Sequence, residues 1–160
     1  MAKRQVFYSF HFNNDVMRVQ QIRNMGVIEG NAPVSANEWE TARKTPGGIE
    51  KWIDDNMKYR SCVVVLIGEE TAKRPWVKYE MKKAWQEGKG LLGIHINNIK
   101  DPKTGTCAKG TNPFDQFTFK DSSGNVKTIP CKSPLSTDAY NDIKNNIDGW
   151  IEEAINLRKS

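Results

Sequence analysis

Within Arg74-Pro75-Trp76-Val77-Lys78-Tyr79-Glu80 lies the side chain best placed to do chemistry in this 160-residue chain, the carboxylate of Glu80. Pro75 suits the first turn of a helix, and the apolar stripe Val77, Met81, Ala84 and Trp85 runs on from it until Gly88. At ~100° per residue Glu80 falls beside that stripe and one turn after Trp76, where it can be partly sheltered. A sheltered carboxylate can stabilise a positive charge that develops during a reaction, and its effect grows where water is excluded. The competing reading is a solvated helix glutamate paired with Lys83, and pattern alone favours that second reading.

Other sites are weaker. Gly88-Lys89-Gly90-Leu91-Leu92-Gly93 has the form G-x-G-x-x-G, but it leaves a helix and enters a strand. Phosphate binding at a helix N-terminus requires the reverse order, so the match is accidental. Gly105 and Gly110 have phosphate-loop spacing, yet Thr111-Asn112 stands where Lys-Ser/Thr is needed. A phosphate-accepting receiver would need carboxylates clustered at its strand ends; here the first strand ends in Ser9-Phe10 and the central one in Gly68, although Glu69-Glu70 follow. His11 and His95 are the only histidines, and no Cys or His pair has zinc spacing, so no metal site is expected. There is no Gly-x-Ser-x-Gly elbow of an α/β-hydrolase.

The elements that must position Glu80 follow from periodicity. Val6-Phe7-Tyr8-Ser9-Phe10 reads as a first strand, followed by a helix over about 15–24 with Asp15 as its cap. The stretch from Gly26 to Asn37 allows at most a weak strand near Val27-Ile28. Thr45-Pro46 opens a second helix carrying Ile49, Trp52, Ile53 and Met57 and ending near Arg60. Ser61 to Ile67 is a continuous apolar run, the pattern of a central strand covered on both faces. Leu91 to Ile96 is the next strand. Residues 101–110 form a polar loop, and Phe117–Phe119 and Val126–Ile129 flank a turn, suggesting a β-hairpin inserted before the last helix. That helix places Ile143, Ile147, Trp150, Ile151, Ala154 and Ile155 on one face. Such alternation predicts an α/β, doubly wound, mostly parallel sheet. Ligands then bind beyond the carboxyl ends of the strands, so Ser9–His11, Gly68–Thr71 and His95–Asn98 should share one rim.

Composition bounds the rest. One domain over 1–160 is expected, long enough to bury roughly two thirds of its unfolded surface. The longest apolar stretch, Cys62 to Ile67, falls far short of the ~20 residues of a spanning helix, and the N-terminus does not resemble a signal peptide, so a cytoplasmic protein is expected. Cys62 in a strand and Cys107 and Cys131 in polar loops read as reduced thiols. A net charge of +5 favours anionic ligands. The clusters Lys78-Lys82-Lys83 and Lys100-Lys103-Lys109 are interleaved with acids, which argues against nucleic acid as a partner.

Trp76-x-x-x-Glu80 resembles the Trp-x-x-x-Glu motif of Toll/interleukin-1 receptor (TIR) domains that cleave NAD. Lys3-Arg4 with Phe7-Tyr8-Ser9-Phe10-His11, Glu38-Trp39-Glu40, Val65–Gly68, Gly93–Asn97 and Asn112-Pro113-Phe114-Asp115 resemble the TIR-like ThsB family of bacterial Thoeris antiphage defence. The likeness extends through about Phe119. It implies a flavodoxin-like fold and an enzyme that breaks the nicotinamide–ribose bond of NAD, the substrate, with no resident cofactor. The product would be a cyclic ADP-ribose isomer or an ADP-ribose conjugate that activates a separate effector protein; a phage-derived trigger and a homo-oligomer are compatible with it. On this carry-over Glu80 is catalytic. Ser9, Phe10 and His11 would then lie around the substrate, with Trp39 and Trp76 as stacking walls and Arg74 and Lys78 drawing in the pyrophosphate. Each has a structural alternative: Phe10 and the tryptophans as packing, His11 satisfying a loop carbonyl, Arg74 and Lys78 as solvated charges. His95 reads as structural, and Asp115 either caps its loop or borders the pocket. The alternative function is a non-catalytic TIR-like interaction module.

Overall fold

Extended and helical segments alternate along the chain, and a computed structural model describes residues 4–27, 29–30 and 46–159. In chain order these form β1 (Gln5–Ser9), α1 (Phe12–Arg23), β2 (Glu29–Gly30), α2 (Gly48–Met57), β3 (Cys62–Ile67), α3 (Pro75–Gln86) and β4 (Gly90–His95). Short β5 (Phe119–Lys120), β6 (Val126–Lys127) and β7 (Cys131–Lys132) precede α4 (Ala139–Lys159), and single 3₁₀ turns lie at Thr71–Lys73 and Pro113–Gln116.

The main sheet has the order β2-β1-β3-β4-β7, every neighbouring pair being parallel. Strand alternation sorts its side chains into two cores. Val6, Tyr8, Val64, Leu66, Leu92 and Ile94 face Val19 and Ile22 of α1 and the isoleucines of α4. Phe7, Val63, Val65, Ile67 and Leu91 face Ile53 and Met57 of α2 and Val77, Met81 and Ala84 of α3. β3, covered on both sides, is buried at all its positions, which is why it reads as an unbroken apolar run. The result is the flavodoxin-like α/β fold. Among the described residues no helix is long and apolar enough to cross a membrane.

The two glycines of β4 have packing reasons. A Cβ on Gly90 would lie 3.0 Å from the Ile155 nitrogen and 3.1 Å from the Ala154 carbonyl carbon, so α4 rests directly on the strand there. A Cβ on Gly93 would meet Phe114 Cε2 at 2.7 Å and Cys131 Sγ at 3.1 Å. Because backbone opposes it, Gly90→Ala should destabilise the protein by about 1–3 kcal/mol, read as a lower denaturation midpoint with an unchanged m-value.

Local expectations fail at several places. α1 begins at Phe12 with His11 as its N-cap, and Asp15 lies fully buried inside the helix, paired with Arg18 at 2.9 Å. α2 starts at Gly48, after Gly47 in the left-handed region at φ 70°, and ends at Met57; Thr45 lies outside the described residues. The strand expected near Val27-Ile28 is Glu29–Gly30, and Ile28 is likewise outside the described residues. Cys131 belongs to β7 and not to a loop, paired through Gly93. β5 and β6 pair antiparallel over two residues each, across a turn in which Asp121 Oδ1 accepts from the backbone of Ser123 and Asn125.

Candidate active site

The register Ile67↔His95 brings the carboxyl ends of β3 and β4 level, and Ser9↔Val65 ends β1 just short of them on the same edge. The segments that follow them therefore share one rim, as expected for a doubly wound sheet. From β3 the chain turns tightly: the Gly68 amide donates to Thr71 Oγ1 at 2.8 Å, and the 3₁₀ turn hands over to Arg74, the N-cap of α3, and to Pro75 in its first turn. α3 thus starts at the rim and carries Glu80 on the face turned to the sheet.

Ser9 is the last residue of β1, on the face that β1 shares with Phe7 and α3. Its hydroxyl donates to Glu80 Oε1 at 2.7 Å, joining groups 71 residues apart. Ser9 is 1% exposed and Glu80 7%. Burial pushes the Glu80 carboxyl up to about 8, and the Ser9 hydrogen bond pulls partly the other way. The solvated reading of Glu80 is therefore overturned. Lys83 points elsewhere, 3.4 Å from Asp54 and 3.3 Å from Glu87.

The other anticipated residues divide into two groups. Arg74 is exposed at the N-terminus of α3, and Trp76 is half-buried against the core on that side, its ring edge-on to Tyr79 at 5.6 Å. His11 opens α1 on the same rim with its Nδ1 buried and without a hydrogen bond among the described residues. Burial, and then the Arg74 cation, lower the His11 pKa, while Glu70 opposes them, so His11, Arg74 and Glu70 lie within electrostatic reach of one another. Phe10 packs instead against the core of α1 and α4, on the opposite side of the sheet from Glu80. Trp39 lies outside the described residues.

Two features of this rim were not anticipated. Arg18 donates to the carbonyls of Ile99 at 2.9 Å and Gly105 at 2.8 Å as well as to Asp15, tying the loop after β4 to α1. The Asp15 carboxylate packs where a Cβ on Gly68 would stand, and Gly110 packs against the Gly68 carbonyl. The sequence signal was present, an Asp-x-x-Arg spacing on one helix face. At the end of β4, His95 is 6% exposed with Nε2 3.6 Å from Cys131 Sγ. Burial lowers the imidazole pKa, and it pushes the thiol up to about 11, so both groups are neutral at physiological pH. Asp115 sits exposed in the second 3₁₀ turn, whose cap is Asn112, accepting from the Phe114 amide at 2.9 Å. Among the described residues no three His, Cys, Asp or Glu side chains are grouped to hold a metal ion.

A parallel sheet wrapped by helices on both faces, with a buried carboxyl delivered to its rim by the helix after the central strand, places the chain among flavodoxin-like α/β proteins. Residues 7–101 match the family model described as Thoeris protein ThsB, TIR-like domain. A protein of Bacillus cereus (strain MSX-D12) named "Putative cyclic ADP-D-ribose synthase ThsB1" is 39% identical over 129 residues, covering 77% of this chain and 67% of the relative. The chain belongs to the ThsB TIR-like family of Thoeris defence.

Proposed function

We propose that this chain is an NAD-processing enzyme that cleaves the nicotinamide–ribose bond, acting in the cytoplasm to make a cyclic ADP-ribose isomer or an ADP-ribose conjugate that activates a separate effector. The observation that carries this reading is the buried Glu80 carboxyl held by Ser9 at the rim. The name of the Bacillus cereus relative supports the same chemistry.

A single carboxylate suffices for the reaction. Glycosyl transfer passes through an oxocarbenium-like transition state, and O-glycosidases usually add an acid to protonate the leaving oxygen. Nicotinamide in NAD is already cationic. When its bond to the ribose anomeric carbon breaks, the electron pair stays on the ring nitrogen and the base leaves neutral, with no proton required. Glu80, ionised, would face the positive charge that develops on the ribose. The acceptor then attacks the anomeric carbon, a water or hydroxyl acceptor releasing its proton to the Glu80 carboxylate or to solvent: water gives ADP-ribose, the substrate's own adenine or ribose gives a cycle, and a foreign nucleophile gives a conjugate.

In this reading Trp76, half-buried, and Trp39 flank the substrate, Arg74 meets the pyrophosphate, and Ser9 and His11 lie at the end of β1, whereas Phe10 belongs to the core on the other side of the sheet and takes no part. NAD is the substrate and no resident cofactor is called on. Mass spectrometry of extracts from phage-challenged cells tests the proposal. Wild type should release nicotinamide and accumulate a new nucleotide, and cells carrying Glu80→Gln should do neither. Matching extracts across several phages, with equal expression, would replace the enzyme by an interaction module.

A further inference from the structure

The end of β1 reaches the catalytic helix through one side chain. Ser9 is fixed by strand pairing with Val65, almost wholly buried, and its hydroxyl makes no other hydrogen bond among the described residues than the 2.7 Å bond to Glu80 Oε1. Oε2 takes no hydrogen-bond partner among the described residues. We propose that Ser9 is a positioning residue for Glu80: its hydroxyl occupies Oε1, fixes the plane of the carboxyl group, and leaves Oε2 as the oxygen presented to the substrate.

The hydroxyl suits both protonation states. When Glu80 is neutral, Oε1 accepts as the carbonyl oxygen and the proton resides on Oε2. When that proton leaves, Ser9 keeps donating in the same direction, now to an anion, and hydrogen bonds to charged acceptors are roughly twice as strong as neutral ones. Ser9 thereby eases ionisation at a site where burial opposes it. No charged side chain contributes: the Glu80 carboxyl responds to burial and to Ser9 alone, and Lys83 on the same helix is turned to Asp54 and Glu87. The role of Oε2 toward substrate rests on the glycosyl-transfer reading, whereas the coupling of Ser9 to Glu80 stands without it.

The test combines titration and rate on the full chain. The Glu80 carboxyl carbon is followed by NMR against pH in wild type, Ser9→Ala and Ser9→Thr, with amide spectra confirming that each variant is folded. Ser9→Ala should raise the Glu80 midpoint by about one pH unit, the difference between a charged and a neutral hydrogen bond. Nicotinamide release from NAD should fall about tenfold or more at pH 7, from the smaller ionised fraction, and recover only in part above the new midpoint, because the ionised carboxylate is no longer held in its plane by Ser9. Ser9→Thr, which keeps the hydroxyl, should restore both. An unmoved midpoint in Ser9→Ala overturns the inference. A moved midpoint in a protein that releases no nicotinamide at any pH upholds the coupling and overturns glycosyl transfer instead.

Discussion

Glu80→Gln is expected to lower nicotinamide release by about 10²–10³-fold while leaving the fold intact. Glutamine has the size of the neutral carboxyl group already present at this buried position, and its Oε1 can accept the same hydrogen bond from Ser9. It loses the one property the proposed chemistry needs, a negative charge facing a developing cation. Glu80→Asp separates charge from position. It keeps the carboxylate but withdraws it by one methylene from Ser9 and from the ribose, and a displacement of this order costs about 10²-fold in a positioned site. Both variants are read by initial rates of nicotinamide release, with circular dichroism to confirm folding. Retention of the wild-type rate by Glu80→Gln would remove Glu80 from the chemistry.

The elements that carry this site were legible for physical reasons. β3 announces itself because a strand buried on both faces must be apolar throughout, and α3 because Pro75 marks its first turn and Val77, Met81 and Ala84 mark its buried face. From those two elements the rim and the location of Glu80 follow. The burial of Glu80 was not legible, since a glutamate beside an apolar stripe reads the same whether water or a strand end lies over it. What shelters it is tertiary: Ser9 arrives from 71 residues away. Asp15 misled for a related reason, because aspartate at the start of a helical pattern is favoured as a cap, and only the packing of α1 shows it buried against Gly68 with Arg18. β7 has two residues, too few to show a period, and what marks its presence is the glycine opposite it in β4. The accidental G-x-G-x-x-G has three separate local causes, the left-handed backbone of Gly88 at φ 77° after α3, α4 over Gly90 and Phe114 over Gly93.

Folding stability should fall as pH rises from about 4.5 to about 8, and the Glu80 contribution should vanish in Glu80→Gln. The folded carboxyl holds its proton up to about 8, whereas the unfolded one releases it near 4.5. Between those values the native state binds more protons than the unfolded state, so deprotonation favours unfolding. The contribution is fully present below about 4.5 and lost by about 8, and its full span is on the order of several kcal/mol. His11 and His95 act in the opposite sense, their lowered folded pKa values making stability fall as pH drops, and Asp15, raised by burial, acts in the same sense as Glu80. These three remain in both proteins, so the difference between wild-type and Glu80→Gln denaturation curves, measured at steps from pH 4.5 to 8.5, isolates Glu80. That difference should grow steadily in favour of the variant. On the proposed function the same balance extends to substrate: a cationic nicotinamide bound beside Glu80 would favour the anion, so NAD binding near neutral pH should release a proton, seen as a buffer-dependent binding enthalpy. A difference curve flat across the whole range would mean that Glu80 is ionised in the native state, and the sheltered carboxyl on which the site is built would be lost.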